Sequence, residues 1–232
     1  MTPAKRVFDI LVALALALLL APVILAVAAA VRWRDGAPVL YRSERMQAPG
    51  RPFTLWKFRT MTPADRDSGV SGGDKAGRIT PTGRVLRRWR LDELPQLWNV
   101  LRGDMSLVGP RPPLRRYVAA FPELYAEVLR ARPGVTGLAT RVYHTEEERL
   151  LAACRTPRET DAVYMRRCVP RKARLDRIYR ARRTLCLDAW LMLATVVRRL
   201  PVVPRRRASR RRPRRRAGAV AVGRRAPRGS NL

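Results

Sequence analysis

One histidine, three cysteines and four lysines are all that these residue types contribute to 232 positions. Cys154, Cys168 and Cys186 are odd in number and show no CxxC spacing, which argues against a disulfide framework or a thiolate zinc site and fits a reducing cytosol. No Walker loop, GxGxxG or HExxH pattern occurs, so the sequence offers no motif for a P-loop nucleotidase, a dinucleotide enzyme or a zinc hydrolase. No internal repeat is visible, which excludes solenoids and propellers. The lone His144 lies in the motif-poor stretch from Arg141 to Cys168 and reads as an exposed loop residue rather than a base. Acids are also scarce, 18 against 49 Lys and Arg, for a net charge of +31. Such an excess implies partners that carry phosphate, whether nucleic acid, anionic lipid or nucleotide, without choosing among them. Twelve arginines and no acid fall between Arg205 and Leu232. That low-complexity tail, 201–232, is expected to be disordered and drawn to anionic lipid, with coding bias as the alternative source of its arginines.

The longest run without a polar side chain extends from Ile10 to Val31, 22 residues or about 33 Å as one helix. Pro22 interrupts it, removing the hydrogen bond to the Leu18 carbonyl and disfavouring helical geometry at Ala21. Lys5 and Arg6 precede the run and Arg32 and Arg34 follow it, so cations stay on one side at both ends only if the chain turns back. A re-entrant helix broken at Pro22 is the expectation for residues 1–34. A kinked spanning helix and a cleaved signal peptide remain as alternatives. Trp33 and Trp56 are candidates for headgroup depth or equally for the core. The apolar segment from Leu185 to Leu200 carries Asp188 and is too short to span, so it should pack on the domain or lie on the membrane.

Residues 35–200 have the length and the apolar content for one catalytic domain. Pro38–Tyr41 and Phe53–Met61 have strand composition around a Pro49-Gly50 turn and predict a β-hairpin. Alternation in the second strand would place Lys57 and Arg59 on one face, about 7 Å apart, a spacing that suits the ends of a pyrophosphate but equally a solvated cationic edge. Residues 62–77 read as a mobile loop beside the site. Helical spacing resumes at Thr82, and Asp92 or Glu93 falls near a helix start, where such residues serve either as caps or as part of a phosphate site. A helix from Leu114 to about Arg130 is followed by a Pro133-Gly134 turn and a break at Gly137. Gly109-Pro110-Arg111-Pro112 reads as a rigid loop after a strand. Asp176, a single acid among cations, is a salt-bridge hub or a ligand for a metal or sugar hydroxyl. The whole is an α+β protein, rich in helix, with a small hairpin.

Three stretches carry a resemblance: Lys57-Phe58-Arg59-Thr60-Met61, Leu91-Asp92-Glu93-Leu94-Pro95-Gln96-Leu97, and Asp104-Met105-Ser106-Leu107-Val108-Gly109-Pro110-Arg111-Pro112. With Lys5-Arg6-Val7-Phe8-Asp9 at the start, the chain to about Leu200 resembles the bacterial sugar transferases, small monotopic polyprenyl-phosphate phosphoglycosyl transferases. The resemblance implies a re-entrant helix in the bacterial inner membrane and a domain facing the cytoplasm. It implies transfer of a sugar phosphate from a UDP-sugar to undecaprenyl phosphate with Mg²⁺, at the first membrane step of exopolysaccharide, capsule or glycoconjugate synthesis. Carried over by position, Asp92 is the nucleophile, Glu93 its catalytic neighbour, and the two hold the metal. Lys57, Arg87, Arg111 and Asp176 match other functional positions and, with Arg59 from the strand reading, are the candidates to bind the substrate and its phosphates. The chain departs from the family where Ala21 replaces a Ser before the hairpin proline, and around Ser43 and Met46-Gln47. A membrane-tethered nucleic-acid-binding protein is the rival reading of the charge, but no binding motif appears and no nucleic acid partner is expected. A silent scaffold is the other rival, and the retained carboxylates argue against it.

Overall fold

The computed structural model describes residues 1–64, 69–197 and 200–201. The expected disordered tail and part of the 62–77 loop lie outside the described residues. Thr2 caps the first helix, its side chain accepting from the Lys5 amide, and Pro3 occupies the first turn, where its missing N–H costs nothing. Helix α1 runs Pro3–Leu19 and α2 runs Ala21–Arg34, bent by 61° at the break. The break falls at Leu20, just ahead of Pro22, which sits in the first turn of α2. Among the described residues no single helix is long and apolar enough to cross a membrane, whereas this bent pair is so by length and composition.

Strands β1 (Leu40–Ala48) and β2 (Arg51–Phe58) form the antiparallel hairpin, with Gly50 at φ 74° in the turn. Both strands are displaced from the predicted runs, and β2 ends before Arg59. A 3₁₀ turn, Gly73–Arg78, lies within and just beyond the segment read as loop. There follow α3 (Pro81–Trp89), α4 (Gln96–Arg102), β3 (Ser106–Val108), α5 (Arg115–Ala120), α6 (Pro122–Val128), β4 (Gly134–Thr136), α7 (Leu138–Ala152), α8 (Pro157–Val163), α9 (Val169–Arg182) and α10 (Leu185–Val196). The single helix expected from Leu114 to Arg130 is two, because Pro122 can open a helix but not continue one. The Pro133-Gly134 turn is in fact the entry to β4, which pairs in parallel with β3. Gly109 makes that junction possible: a Cβ there would lie 2.1 Å from the Arg132 carbonyl, and its amide donates to Thr136. The loop carrying Arg111 is thereby pinned.

Two cores hold the domain. One joins Met46, Tyr117, Tyr125, Tyr143, Tyr164 and Val169. The other joins Ala13 of α1 to Leu55, Val100, Leu107, Tyr179 and Leu191. A smaller cluster packs Val27 and Val31 of α2 on Phe58 and Leu86. The start of α1 is bolted to the domain by charge as well. Lys5 Nζ lies 3.0 Å from Asp9 and 2.9 Å from Asp188 of α10, while Asp9 accepts from Ser106 and Asp188 from Tyr179. Arg6 donates to the carbonyls of Val100 and Leu101 in the last turn of α4. Asp188 is thus a buried partner of the first helix turn. Along α1, Lys5, Asp9 and Ala13 face inward at helical spacing, while Val7, Leu11, Leu14 and Leu18 are exposed.

Candidate active site

Asp92 and Glu93 belong to a 3₁₀ turn, Leu91–Glu93, set between α3 and α4. Neither side chain caps α4, whose N-cap is Pro95. Two features fix the turn. Gly83 in α3 lies so close to the Thr60 carbonyl that a Cβ would sit 2.1 Å from it, and Thr80 caps the helix through the Gly83 amide. Arg90 then leaves α3 in the left-handed region, φ 57°, a conformation that costs a side-chain-bearing residue about 1–2 kcal/mol. This twist swings Arg90 onto Glu93.

Glu93 is clamped by three cations. Its Oε1 receives Lys57 Nζ at 2.8 Å and both terminal nitrogens of Arg111 at 3.2 Å, and its Oε2 receives Arg90 at 2.5 and 3.1 Å. Burial alone would raise this carboxyl, but Lys57, Arg111 and Arg90 together hold it well below the ordinary carboxylate range. Asp92 is equally buried, with Lys57 at 3.7 Å and Arg87 and Arg111 acting on it from farther away. Burial pushes its carboxyl up; Lys57 opposes and Glu93 adds to the rise. Two adjacent acids are therefore driven apart in character, one a fixed anion and the other a more basic carboxylate, a common way for a site to divide roles between like groups.

The pair opens on a cavity of about 510 Å³, within the usual range for small-molecule sites. Lys57, Arg87 and Arg111 line it together with the pair. Arg87 donates from Nε to Thr60 Oγ1 at 2.9 Å, and the Arg111 side chain keeps 40% of its surface open. Two predicted residues are placed otherwise. Arg59 also lines the cavity, but its buried guanidinium donates to the carbonyls of Asp35, Gly36 and Ala37, just after α2, rather than standing free beside Lys57. The alternation that paired it with Lys57 stops with β2. Asp176 does not line the cavity: it is buried on α9, its Oδ1 without a hydrogen-bond partner, and burial pushes its carboxyl up to about 7. One turn earlier, Lys172 does line the cavity and bonds Glu147 of α7 at 2.9 and 3.0 Å.

Other cavity residues escaped the sequence reading: Arg45, Arg90, Glu147, Tyr164 and Lys172. His144 is among them too, on α7 rather than in a loop. Tyr164 opens a π turn, Tyr164–Cys168, an irregularity frequent at functional sites but without a clear mark in sequence. Among the described residues no three His, Cys, Asp or Glu side chains converge to hold a metal. The paired carboxylates could offer Mg²⁺ one or two oxygens, the remaining ligands coming from phosphate and water, with Glu93 giving up one of its cations to do so.

A family model described as bacterial sugar transferase matches residues 1–201. The uncharacterized sugar transferase EpsL of Bacillus subtilis strain 168 is 46% identical over 135 residues, 58% of this chain and 66% of its own. The UDP-glucose:undecaprenyl-phosphate glucose-1-phosphate transferase of Caulobacter vibrioides is 46% identical over 140 residues, covering 58% and 52%. An Aeromonas hydrophila relative named UDP-N-acetylgalactosamine-undecaprenyl-phosphate N-acetylgalactosaminephosphotransferase is 38% identical over 145 residues, covering 60% and 34%. The matches span from a third to just under two thirds of these relatives. With a family match running from the first residue through α10, the chain belongs to the bacterial sugar transferase family.

Proposed function

We propose that the protein transfers a sugar 1-phosphate from a UDP-sugar to undecaprenyl phosphate, releasing UMP and leaving a polyprenyl-diphosphate sugar. The observation that carries this reading is the unequal carboxylate pair: Glu93 saturated by Lys57, Arg90 and Arg111, and Asp92 beside it without a hydrogen-bond donor of its own among the described residues. In the first half-reaction an Asp92 oxygen bonds to the sugar-bearing phosphorus. The bond from that phosphorus to the bridging oxygen breaks, and UMP departs with the electron pair. The lipid phosphate oxygen then attacks the same phosphorus and frees Asp92. Lys57, Arg87 and Arg111 supply positive field for the charge that builds on the phosphates. Mg²⁺, with Asp92 and Glu93 as its protein ligands, would neutralise the diphosphate and its leaving group.

The same reading places the domain, 35–200, on the cytoplasmic face of the inner membrane, with 1–34 as a re-entrant anchor and 201–232 as a basic tail. Support comes from both ends of the bent pair being tied to one body: Lys5 and Arg6 to α10 and α4, and the carbonyls after α2 to Arg59. Ends held this way favour one face of the membrane for both. Exposed Leu18, Leu19, Leu25 and Trp33 on the pair, with Trp89 and Trp98 on α3 and α4, suit the hydrocarbon and headgroup zones. Purified protein given UDP-sugars, Mg²⁺ and undecaprenyl phosphate is expected to release UMP, with a loss of about a thousandfold in Asp92→Asn and a large loss in Glu93→Gln. Undiminished turnover in Asp92→Asn would remove the carboxylate mechanism.

A further inference from the structure

Among the described cations that line the cavity, Arg45 is one that the machinery above does not use. Lys57, Arg90 and Arg111 share Glu93; Lys172 has Glu147; Arg59 has three carbonyls. Arg45, in the middle of β1, has no such anion. Its Nε is sealed from water without a hydrogen-bond partner, and the ionisable groups that act on it most are Arg111 and the phenols of Tyr164, Tyr41 and Tyr117. Phenols are neutral at physiological pH and Arg111 repels, so nothing among these neighbours offsets the charge. A guanidinium held this way is destabilising unless an anion arrives.

Its position along the cavity says which anion. The Met46 amide donates to the Pro113 carbonyl at 3.0 Å, which ties β1 to the loop after Arg111 and sets Arg45 beside Arg111. Arg111 in turn rests on Glu93. The order is carboxylate pair, Arg111, Arg45, so an anion seated on Arg45 stands beyond the phosphoryl group that meets Asp92. In a nucleoside diphosphate sugar, the group beyond is the second phosphate.

We propose that Arg45 binds the phosphate of the departing nucleoside monophosphate. This rests on the donor reading given above. As the bond from the attacked phosphorus to the bridging oxygen breaks, that oxygen becomes a terminal oxygen of UMP, and the added negative charge is met by a half-buried guanidinium already in place. Tyr117 and Tyr164 wall this compartment and bring no competing charge. The lipid acceptor also carries a phosphate monoester, so the two sources share one chemistry and need separate measurement.

Full-length protein in nanodiscs, titrated calorimetrically with UMP, uridine and inorganic phosphate, tests the assignment. Arg45→Met is expected to weaken UMP about ten- to a hundredfold while leaving uridine unchanged, and Arg45→Lys to restore part of the loss. Because the native charge is uncompensated, Arg45→Met should melt at the same temperature as the wild type or higher, which a merely structural arginine would not do. Equal UMP affinity in wild type and folded Arg45→Met overturns the proposal. An effect confined to the KM for undecaprenyl phosphate overturns it in favour of the lipid phosphate. Arg45-dependent binding of inorganic phosphate by a protein that ignores UMP would sink the nucleotide donor while keeping Arg45 as an anion ligand.

Discussion

Removing the Lys5 ammonium should weaken the docking of the N-terminal helix pair on the domain, and the structure sets the size of the effect. Lys5 Nζ serves two carboxylates, at 3.0 and 2.9 Å, whose side chains are 0% and 1% exposed. Deleting one partner of a buried ion pair costs about 3–5 kcal/mol, because the remaining charge is stranded. Here the stranded aspartates retain Ser106 Oγ at 2.8 Å and Tyr179 OH at 2.6 Å, so the low end, about 3 kcal/mol, is expected for Lys5→Met. For a chain of this length that corresponds to about 6–12 °C in melting temperature. The triple change Lys5→Met, Asp9→Asn, Asp188→Asn removes every charge in the cluster and should lose less than Lys5→Met alone. Thermal unfolding in detergent, followed by near-ultraviolet circular dichroism, measures both. A triple variant that falls by the sum of its parts, or a Lys5→Met variant within 1 °C of wild type, would refute the lock.

Asp176 gives a pH-dependent counterpart. Its folded pKa, about 7, lies above the ordinary 3.8, so between those values the folded state binds more protons and stability falls as pH rises. Asp176→Asn should therefore stabilise by about 2–4 kcal/mol above pH 7 and by little near pH 4, as read from melting at the two pH values. A gain of equal size at both would contradict the assignment. Topology is tested with Thr2→Cys and Ser71→Cys in a Cys186→Ser background, since Cys154 and Cys168 are buried. Both tags should react from one face of the membrane, and reaction from opposite faces would require a spanning helix.

Much of this was legible in the chain. The Pro49-Gly50 turn announced the hairpin, Pro22 the break between α1 and α2, and the Asp92-Glu93 run the turn on which the cavity centres. These are local features, set by turn chemistry or by a missing amide. What could not be read depends on contacts between distant segments. Arg59 shares its strand's alternation on paper, but three carbonyls at the end of α2 claim it once β2 stops at Phe58. Arg45 looks like any charged strand residue until the link from Met46 to Pro113 brings it beside Arg111. Lys5 and Asp188 are 183 positions apart and meet only because α10 packs on β3. Asp176 carried a family motif, yet its neighbour Lys172 is the one that reaches the cavity.

Intact-mass and peptide analysis of the protein incubated with a panel of UDP-sugars, in the absence of any lipid acceptor, tests the central claim most directly. The account predicts a sugar-phosphate adduct on the peptide containing Asp92, together with UMP and absent in Asp92→Asn. Release of UMP that requires the lipid and leaves no adduct on that peptide would contradict it.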